Sequence, residues 1–215
     1  MLPNLRAGLI FLLGCTVFAW PQQAADHGPQ FTVFVYNDAD APAQWLSAAE
    51  QDAGAVFAEA GLQAAWMNCM PGKRGMTRPE CGQPPGPAQL VVRLVPKSLT
   101  LGDTAFGVAF LSNDGGTFAD VFFDPFRRLR AEGAREISAS LLGHVITHEI
   151  GHLLLGSNRH SRLGIMQARW HSDQLPSIAA GGLSFTSEQA AQMRARVASL
   201  KKADSRPAMV ADVRH

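Results

Sequence analysis

Residues 144–160 read HVITHEIGHLLLGSNRH, a helix-forming stretch that contains four histidines. Within it, His148, Glu149 and His152 form the pattern His-Glu-x-x-His. On an α-helix, two residues four positions apart lie about 40° apart around the axis and about one turn along it. Two imidazoles in this arrangement can bind one metal ion, and Zn²⁺ is the usual ion for such nitrogen ligands.

Glu149 follows the first of these histidines, where its carboxylate can polarise a metal-bound water instead of binding the metal. The pKa of such a water falls toward about 7, and Glu149 can accept its proton as general base during attack on a carbonyl carbon. A zinc site that is only structural closes its fourth position with a protein ligand and has no use for this carboxylate. The pattern therefore indicates a hydrolytic zinc site.

A catalytic zinc ion keeps three protein ligands and one open position, so a third ligand must come from outside the His-Glu-x-x-His pattern. Gly156 follows the helix and can adopt the left-handed conformation that ends a helix and turns the chain. His160 comes four residues later, and it is the predicted third ligand. Three other residues remain candidates for that position: His171, Asp173 and Glu188.

His144 extends the series of histidines by one helical turn. Because it lies about 12 Å along the axis from His152, the histidines at 144, 148 and 152 cannot all bind one ion. Two interpretations of His144 stay open: a hydrogen-bonding partner near the metal, or ordinary core. Apolar side chains project from the opposite side of the helix, so that side should be buried while the histidines face a cleft. These apolar residues are Leu142, Ile146, Ile150, Leu153 and Leu154.

The segment resembles the signature of the metzincin superfamily of zinc peptidases, HExxHxxGxxH followed by a methionine turn. His148, Glu149 and His152 match directly, whereas Gly156 comes one position later and His160 two positions later than in the signature. The resemblance implies a matrixin-like or archaemetzincin-like zinc metallopeptidase with Zn²⁺ as its cofactor.

The same resemblance gives roles to two further parts of the chain. Gly164-Ile165-Met166 is similar to the methionine turn, whose methionine underlies the metal. In metzincins an edge strand lies antiparallel to bound peptide, and Thr104–Leu111 or its partner Thr117–Phe123 would be that strand. The implied partner is a peptide or protein substrate.

The remaining patterns predict an α/β (α+β) domain with a twisted mixed sheet, metzincin-like overall. A helix at 42–61 would cross over the sheet, the long active-site helix at about 135–155 would pack beneath it, and a C-terminal helix would follow. That last helix should start at Thr186 and run to about Lys202, because Thr186 and Gln189 form a capping box. A further helical region is expected after Pro125. The predicted strands are Gln30–Asn37, Gln63–Asn68, Gln89–Val95, Thr104–Leu111 and Thr117–Asp124.

Residues 1–19 have the charged start, apolar run and small-residue end of a secretory signal peptide. The apolar run of roughly 12 residues is shorter than the ~20 needed to span a bilayer, so no membrane span is expected. A lipid on Cys15 is an alternative fate for this leader. We expect a secreted or periplasmic protein with a linker at 20–29, a zinc metallopeptidase-like domain at 30–202 and a flexible tail at 203–215.

Removal of the leader would leave two cysteines, Cys69 and Cys81, on either side of a loop rich in proline and glycine. In an oxidising compartment they can form a disulfide bond that stabilises the fold by ~3 kcal/mol. Two unpaired thiols are the alternative.

The chain has 215 residues, of which 47% are hydrophobic and 17% charged, with a formal net charge of +1. This composition predicts one globular domain, which we expect to be monomeric, and it provides no basic surface for nucleic acid. The sequence thus favours an exported zinc metallopeptidase. Two alternatives are a zinc hydrolase of non-peptide amides or esters and an inactive domain that only holds zinc.

Overall fold

The computed structural model describes residues 28–69, 78–102, 105–112, 115–133, 135–170, 178 and 182–204, and only the backbone of 135–138 and 204. The predicted leader 1–19 with Cys15, most of the linker 20–29 and most of the tail 203–215 lie outside these residues. The strands are β1 (Gln30–Asn37), β2 (Gln63–Cys69), β3 (Gln89–Val95), β4 (Gly107–Ser112) and β5 (Gly115–Phe122). The helices are α1 (Ala43–Glu59), α2 (Asp124–Ala131), α3 (Arg135–Leu155) and α4 (Ser187–Asp204).

The five strands form one mixed sheet in the order β2-β1-β3-β5-β4. Strands β1, β2, β3 and β5 are parallel, whereas β4 pairs antiparallel with β5 and lies at the edge. Helix α1 is the crossover that parallel β1 and β2 require. The predicted α/β class with a twisted mixed sheet is confirmed, and of the two hairpin strands β4 is the one at the edge.

One face of the sheet is covered by α1 and α3, which also pack against each other. The predicted arrangement, with α1 crossing the sheet and α3 beneath it, is thus realised with both helices on the same face. Their shared core includes Val33 and Val35 of β1 and Val92 of β3. Apolar residues at helical spacing along α1 are buried in this core: Trp45, Ala49, Ala53 and Val56, together with Ala60 just beyond the helix end.

The opposite face of the sheet carries a smaller cluster in which Phe34, Cys69 and Val91 are buried. Cys81 packs against this cluster and forms a disulfide bond with Cys69. The Tyr36 hydroxyl donates a hydrogen bond to the Cys81 carbonyl. The predicted disulfide is confirmed, and it fastens the segment after β2 to the face that the helices leave open.

The ends of several elements differ by a few residues from the prediction. The strand expected to end at Asp124 stops at Phe122, because Asp124 and Pro125 form the first turn of α2, where proline is well tolerated. The capping box of α4 is present. The Gln189 N–H donates to Thr186 Oγ1 at 3.2 Å, and the Thr186 N–H donates to Gln189 Oε1 at 3.0 Å. In the part of the chain that the structure describes, no helix has both the length and the apolar character needed to cross a membrane.

Candidate metal centre

Three predicted ligands converge at the end of α3. His148, His152 and His160 each present one ring nitrogen, and these three nitrogens lie within 4.8 Å of one another. The Nε2 atoms of His148 and His152 are 3.0 Å apart. The first two side chains are buried, while His160 is exposed, so the group faces solvent on the side of His160.

The bend after α3 brings His160 back over the helix. Gly156 has φ of 61°, the left-handed conformation expected from the sequence. The Ser157 N–H donates to the His152 carbonyl at 3.2 Å, which closes the helix end. The ring of His160 then lies 5.3 Å from that of His148 and 4.9 Å from that of His152, measured between centroids.

Backbone carbonyls fix the orientation of the two buried imidazoles. His148 Nδ1 lies 2.8 Å from the Ile165 carbonyl oxygen, and His152 Nδ1 lies 2.7 Å from the Ser157 carbonyl oxygen. A carbonyl oxygen only accepts, so each Nδ1 must carry the proton. The Ile165 carbonyl is held in turn, because the Ile165 N–H donates to the Ser184 carbonyl at 3.0 Å.

Burial also keeps these rings neutral. It lowers the pKa of His148 to about 4 against the opposing effect of its bond to Ile165, and it lowers the pKa of His152. Because Nδ1 is protonated and the ring is neutral, each Nε2 bears a lone pair. The two Nε2 atoms are 3.0 Å apart, so their lone pairs face each other. Such a pair is stabilised by a cation between its members. Two nitrogens bound to zinc at ~2.0–2.1 Å with tetrahedral geometry lie about 3.3 Å apart, so the residues fit Zn²⁺.

Glu149 lies beside this group, buried against the start of the edge strand. A Cβ placed on Gly107 of β4 would lie 2.6 Å from Glu149 Oε1, so only glycine leaves room for the carboxyl group. Burial raises the pKa of Glu149 from 4.5 to about 8. Sequence reasoning missed Gly107, although an isolated glycine in a strand can indicate a close approach of this kind.

Met166 lies directly beneath the helix that carries the histidines. Its side chain is fully buried, and its sulfur lies 2.6 Å from where a Cβ on Gly151 would be. The absence of a side chain at Gly151 therefore allows the 164–166 turn to pack close under α3. That Met166 underlies a bound metal, as the resemblance to a methionine turn implied, stays a prediction.

The remaining candidates lie elsewhere. His144 is buried, its Nδ1 is 2.9 Å from the Ser140 carbonyl, and it does not belong to the group of three. Glu188 is exposed in the first turn of α4 and is also outside the group. His171 and Asp173 lie outside the described residues. The side of α3 that bears the histidines is buried as well, because the segment after Gly156 folds back over it and, of the three converging histidines, leaves only His160 exposed.

The fold is similar to that of solved structures with low sequence identity to this chain. The crystal structure of archaemetzincin from Methanopyrus kandleri superposes with a TM-score of 0.51 and 16% identity, over 79% of this chain and 96% of that one. Metalloproteinase-II from Bacteroides fragilis gives a TM-score of 0.47 and 14% identity, over 81% of this chain and 55% of that one. No family model and no curated protein sequence matches the chain. The comparison with archaemetzincin shows a similar fold and agrees with the expected α/β architecture.

Proposed function

We propose that this chain is an exported zinc-dependent metallopeptidase that hydrolyses peptide bonds. His148, His152 and His160 would bind the metal, and Glu149 would act as general base. One observation carries the proposal: three imidazole nitrogens converge, and the two buried ones are held with their lone pairs facing each other. When bound, zinc would act as a Lewis acid that can polarise the carbonyl group of the substrate and lower the pKa of a water molecule.

The chain's own residues supply the base. Glu149 adjoins His148 in sequence, and its carboxyl group is packed on the Gly107 backbone. Its pKa of about 8 arises from burial alone. A positive charge at the three nitrogens favours the ionised carboxylate. Glu149 would then accept, at Oε1 or Oε2, a proton from the water that attacks the carbonyl carbon, and it would return this proton to the leaving amine.

Peptide substrates are supported by the position of the edge strand. Strand β4 has β5 on one side and forms the edge of the sheet on the other. An extended peptide can add to such an edge through main-chain hydrogen bonds. Because Gly107 begins β4 and touches Glu149, a peptide on this edge would pass the catalytic carboxylate.

Export is supported by the bond between Cys69 and Cys81, since disulfide bonds persist mainly in oxidising compartments. It agrees with the signal-peptide pattern at 1–19.

The test combines metal analysis with peptide hydrolysis by the purified mature protein. We expect about one zinc per chain, and Glu149→Gln should keep this zinc while hydrolysis falls by about 10²–10⁴-fold. His160→Ala should lose zinc. Glu188→Gln and Arg159→Ala, which change exposed residues, are the matched controls and should alter neither property. Wild-type protein without zinc, or Glu149→Gln with full activity, would refute the proposal.

A further inference from the structure

Trp170 lies against two histidines of α3 that are one helical turn apart. Its ring centroid is 5.7 Å from that of His148, with the planes at 88°. It is 6.4 Å from that of His144, with the planes at 87°. The indole therefore makes edge-to-face contacts with both imidazoles, an arrangement that aromatic pairs prefer.

The contact with His148 adds a restraint that the hydrogen bond to Ile165 cannot supply. That bond fixes the position of Nδ1, but the ring can still swing about the Nδ1–oxygen direction. The ring of His160 stacks on His148 at an interplanar angle of 24°, and His160 is itself exposed. Trp170 packs perpendicular to the His148 ring, so it opposes the motion that would turn Nε2 away from the other two nitrogens.

His144 contacts the indole one helical turn before His148. It is 1% exposed, and its Nδ1 donates to the Ser140 carbonyl, which leaves Nε2 as an acceptor. Among the described residues, neither that Nε2 nor the Nε1 donor of Trp170 has a hydrogen-bond partner, although both atoms are buried. Because the two rings are in edge-to-face contact, His144 belongs to the surroundings of Trp170 and is not merely core.

We infer that Trp170 is a positioning residue that holds the His148 imidazole in its metal-binding orientation, with His144 as its second support. Its effect on zinc affinity rests on the proposed function, while its effect on the His148 ring can be measured without metal. Outer partners that hydrogen-bond a metal ligand typically change metal affinity by about 10–100-fold when they are removed, and we expect the loss of a ring that packs against the ligand to have an effect in the same range.

The first test is NMR of the metal-free protein. The Nδ1–H proton of His148 should give a sharp resonance, because the ring is held. In Trp170→Ala it should broaden or disappear through exchange with water, and Trp170→Phe should restore it, since an aromatic ring still packs there. Trp66→Ala is the matched control, because Trp66 is also half-buried but lies in β2. Trp170→Leu replaces Trp170→Ala if the latter does not fold.

The second test is the zinc dissociation constant of the same variants. We expect Trp170→Ala to raise it by about 10–100-fold, with Trp170→Phe and Trp66→Ala close to wild type. A folded Trp170→Ala or Trp170→Leu protein with an unchanged His148 resonance and unchanged zinc affinity would overturn the inference. A wild-type protein with a sharp, Trp170-dependent His148 resonance but no affinity for zinc would refute the proposed function alone.

Discussion

Gly107 and Glu149 bring the edge strand of the sheet into contact with the candidate site. The carboxyl group of Glu149 occupies the space that any side chain at position 107 would need. This contact was not predicted, because it joins a strand to a helix that is far away in sequence. It explains why a glycine begins this strand.

Gly107→Ala is expected to displace Glu149, since its methyl carbon would lie 2.6 Å from Oε1. A misplacement of about 1 Å in a catalytic group can cost ~10²-fold in rate, so kcat/KM for peptide hydrolysis should fall by about that factor. Zinc content should not change. Gly102→Ala is the control, because a Cβ there meets nothing within 4 Å. Full activity in Gly107→Ala would contradict the role assigned to this contact.

The titration of Glu149 predicts how stability depends on pH in the metal-free protein. Burial raises its pKa from 4.5 to about 8, so between these values the folded chain keeps a proton that the unfolded chain has lost. The stabilisation from the protonated carboxyl is complete below pH 4.5 and disappears as pH rises through 8. Wild type should therefore lose up to about 5 kcal/mol relative to Glu149→Gln over this range.

Urea unfolding of both proteins at several pH values, in the presence of a chelator, gives this difference directly. The histidines titrate in both proteins, so their contributions cancel when one curve is subtracted from the other. A difference that does not change between pH 4.5 and 8 would show that Glu149 is not buried as described.

Among the elements, the end of α3 decides whether the third histidine reaches the other two. Gly156 has φ of 61°, and nothing lies within 4 Å of the space where its Cβ would be. The barrier to substitution is therefore backbone strain and not a clash. The sequence predicted this bend correctly, because a glycine after an apolar helical stretch is a strong termination signal.

Gly156→Ala should lower the free energy of unfolding by about 1–2 kcal/mol, the cost of a left-handed conformation for an L-residue. It should also weaken zinc binding, because relief of that strain moves the segment that carries His160. Gly156→Asn should cost less, since asparagine tolerates this conformation. Gly82→Ala, with an ordinary φ and open space at Cβ, is the control. Wild-type stability in Gly156→Ala, measured by urea unfolding, would refute this explanation of the bend.

What the sequence predicted at this scale follows from local patterns. Strand β1 was located by its β-branched and aromatic residues, β3 by its apolar run, α3 by apolar residues at helical spacing, and α4 by the reciprocal capping of Thr186 and Gln189. Strand ends at the β4–β5 hairpin were displaced, because glycine-rich turns leave the register open. Local spacing also could not reveal that the histidine side of α3 is covered, since that depends on the path of a distant segment.

At the scale of the whole molecule, the three histidines that converge could be picked out from the sequence, while the groups that orient them could not. His148, His152 and His160 have a side-chain pattern that sequence reasoning can recognise. The groups that orient His148 and His152 are the backbone carbonyls of Ile165 and Ser157. Every residue has such a carbonyl, so the residue types in the sequence do not reveal these contacts. Trp170 has a distinctive side chain, but only the folded chain places it beside His148.

The disulfide bond and the candidate metal centre lie on opposite faces of the sheet. The Cys69–Cys81 bond lies on the face opposite α3, within the cluster around Phe34 and Val91. Its reduction should lower the free energy of unfolding by about 3 kcal/mol, while zinc content and hydrolysis under native conditions stay unchanged. Urea unfolding with and without reductant measures this loss.

The Cys69→Ala/Cys81→Ala protein, whose stability should not respond to reductant, is the control for that measurement. Loss of zinc on reduction of the wild type would contradict the separation of the two faces.

The most direct measurement of the central claim is X-ray absorption at the zinc edge, made on the purified protein and on His160→Ala. Three imidazole nitrogens and one oxygen at about 2.0–2.1 Å are expected in wild type. The variant should lose one imidazole or the metal altogether. A wild-type spectrum with fewer than three imidazoles, or one that His160→Ala leaves unchanged, would contradict it.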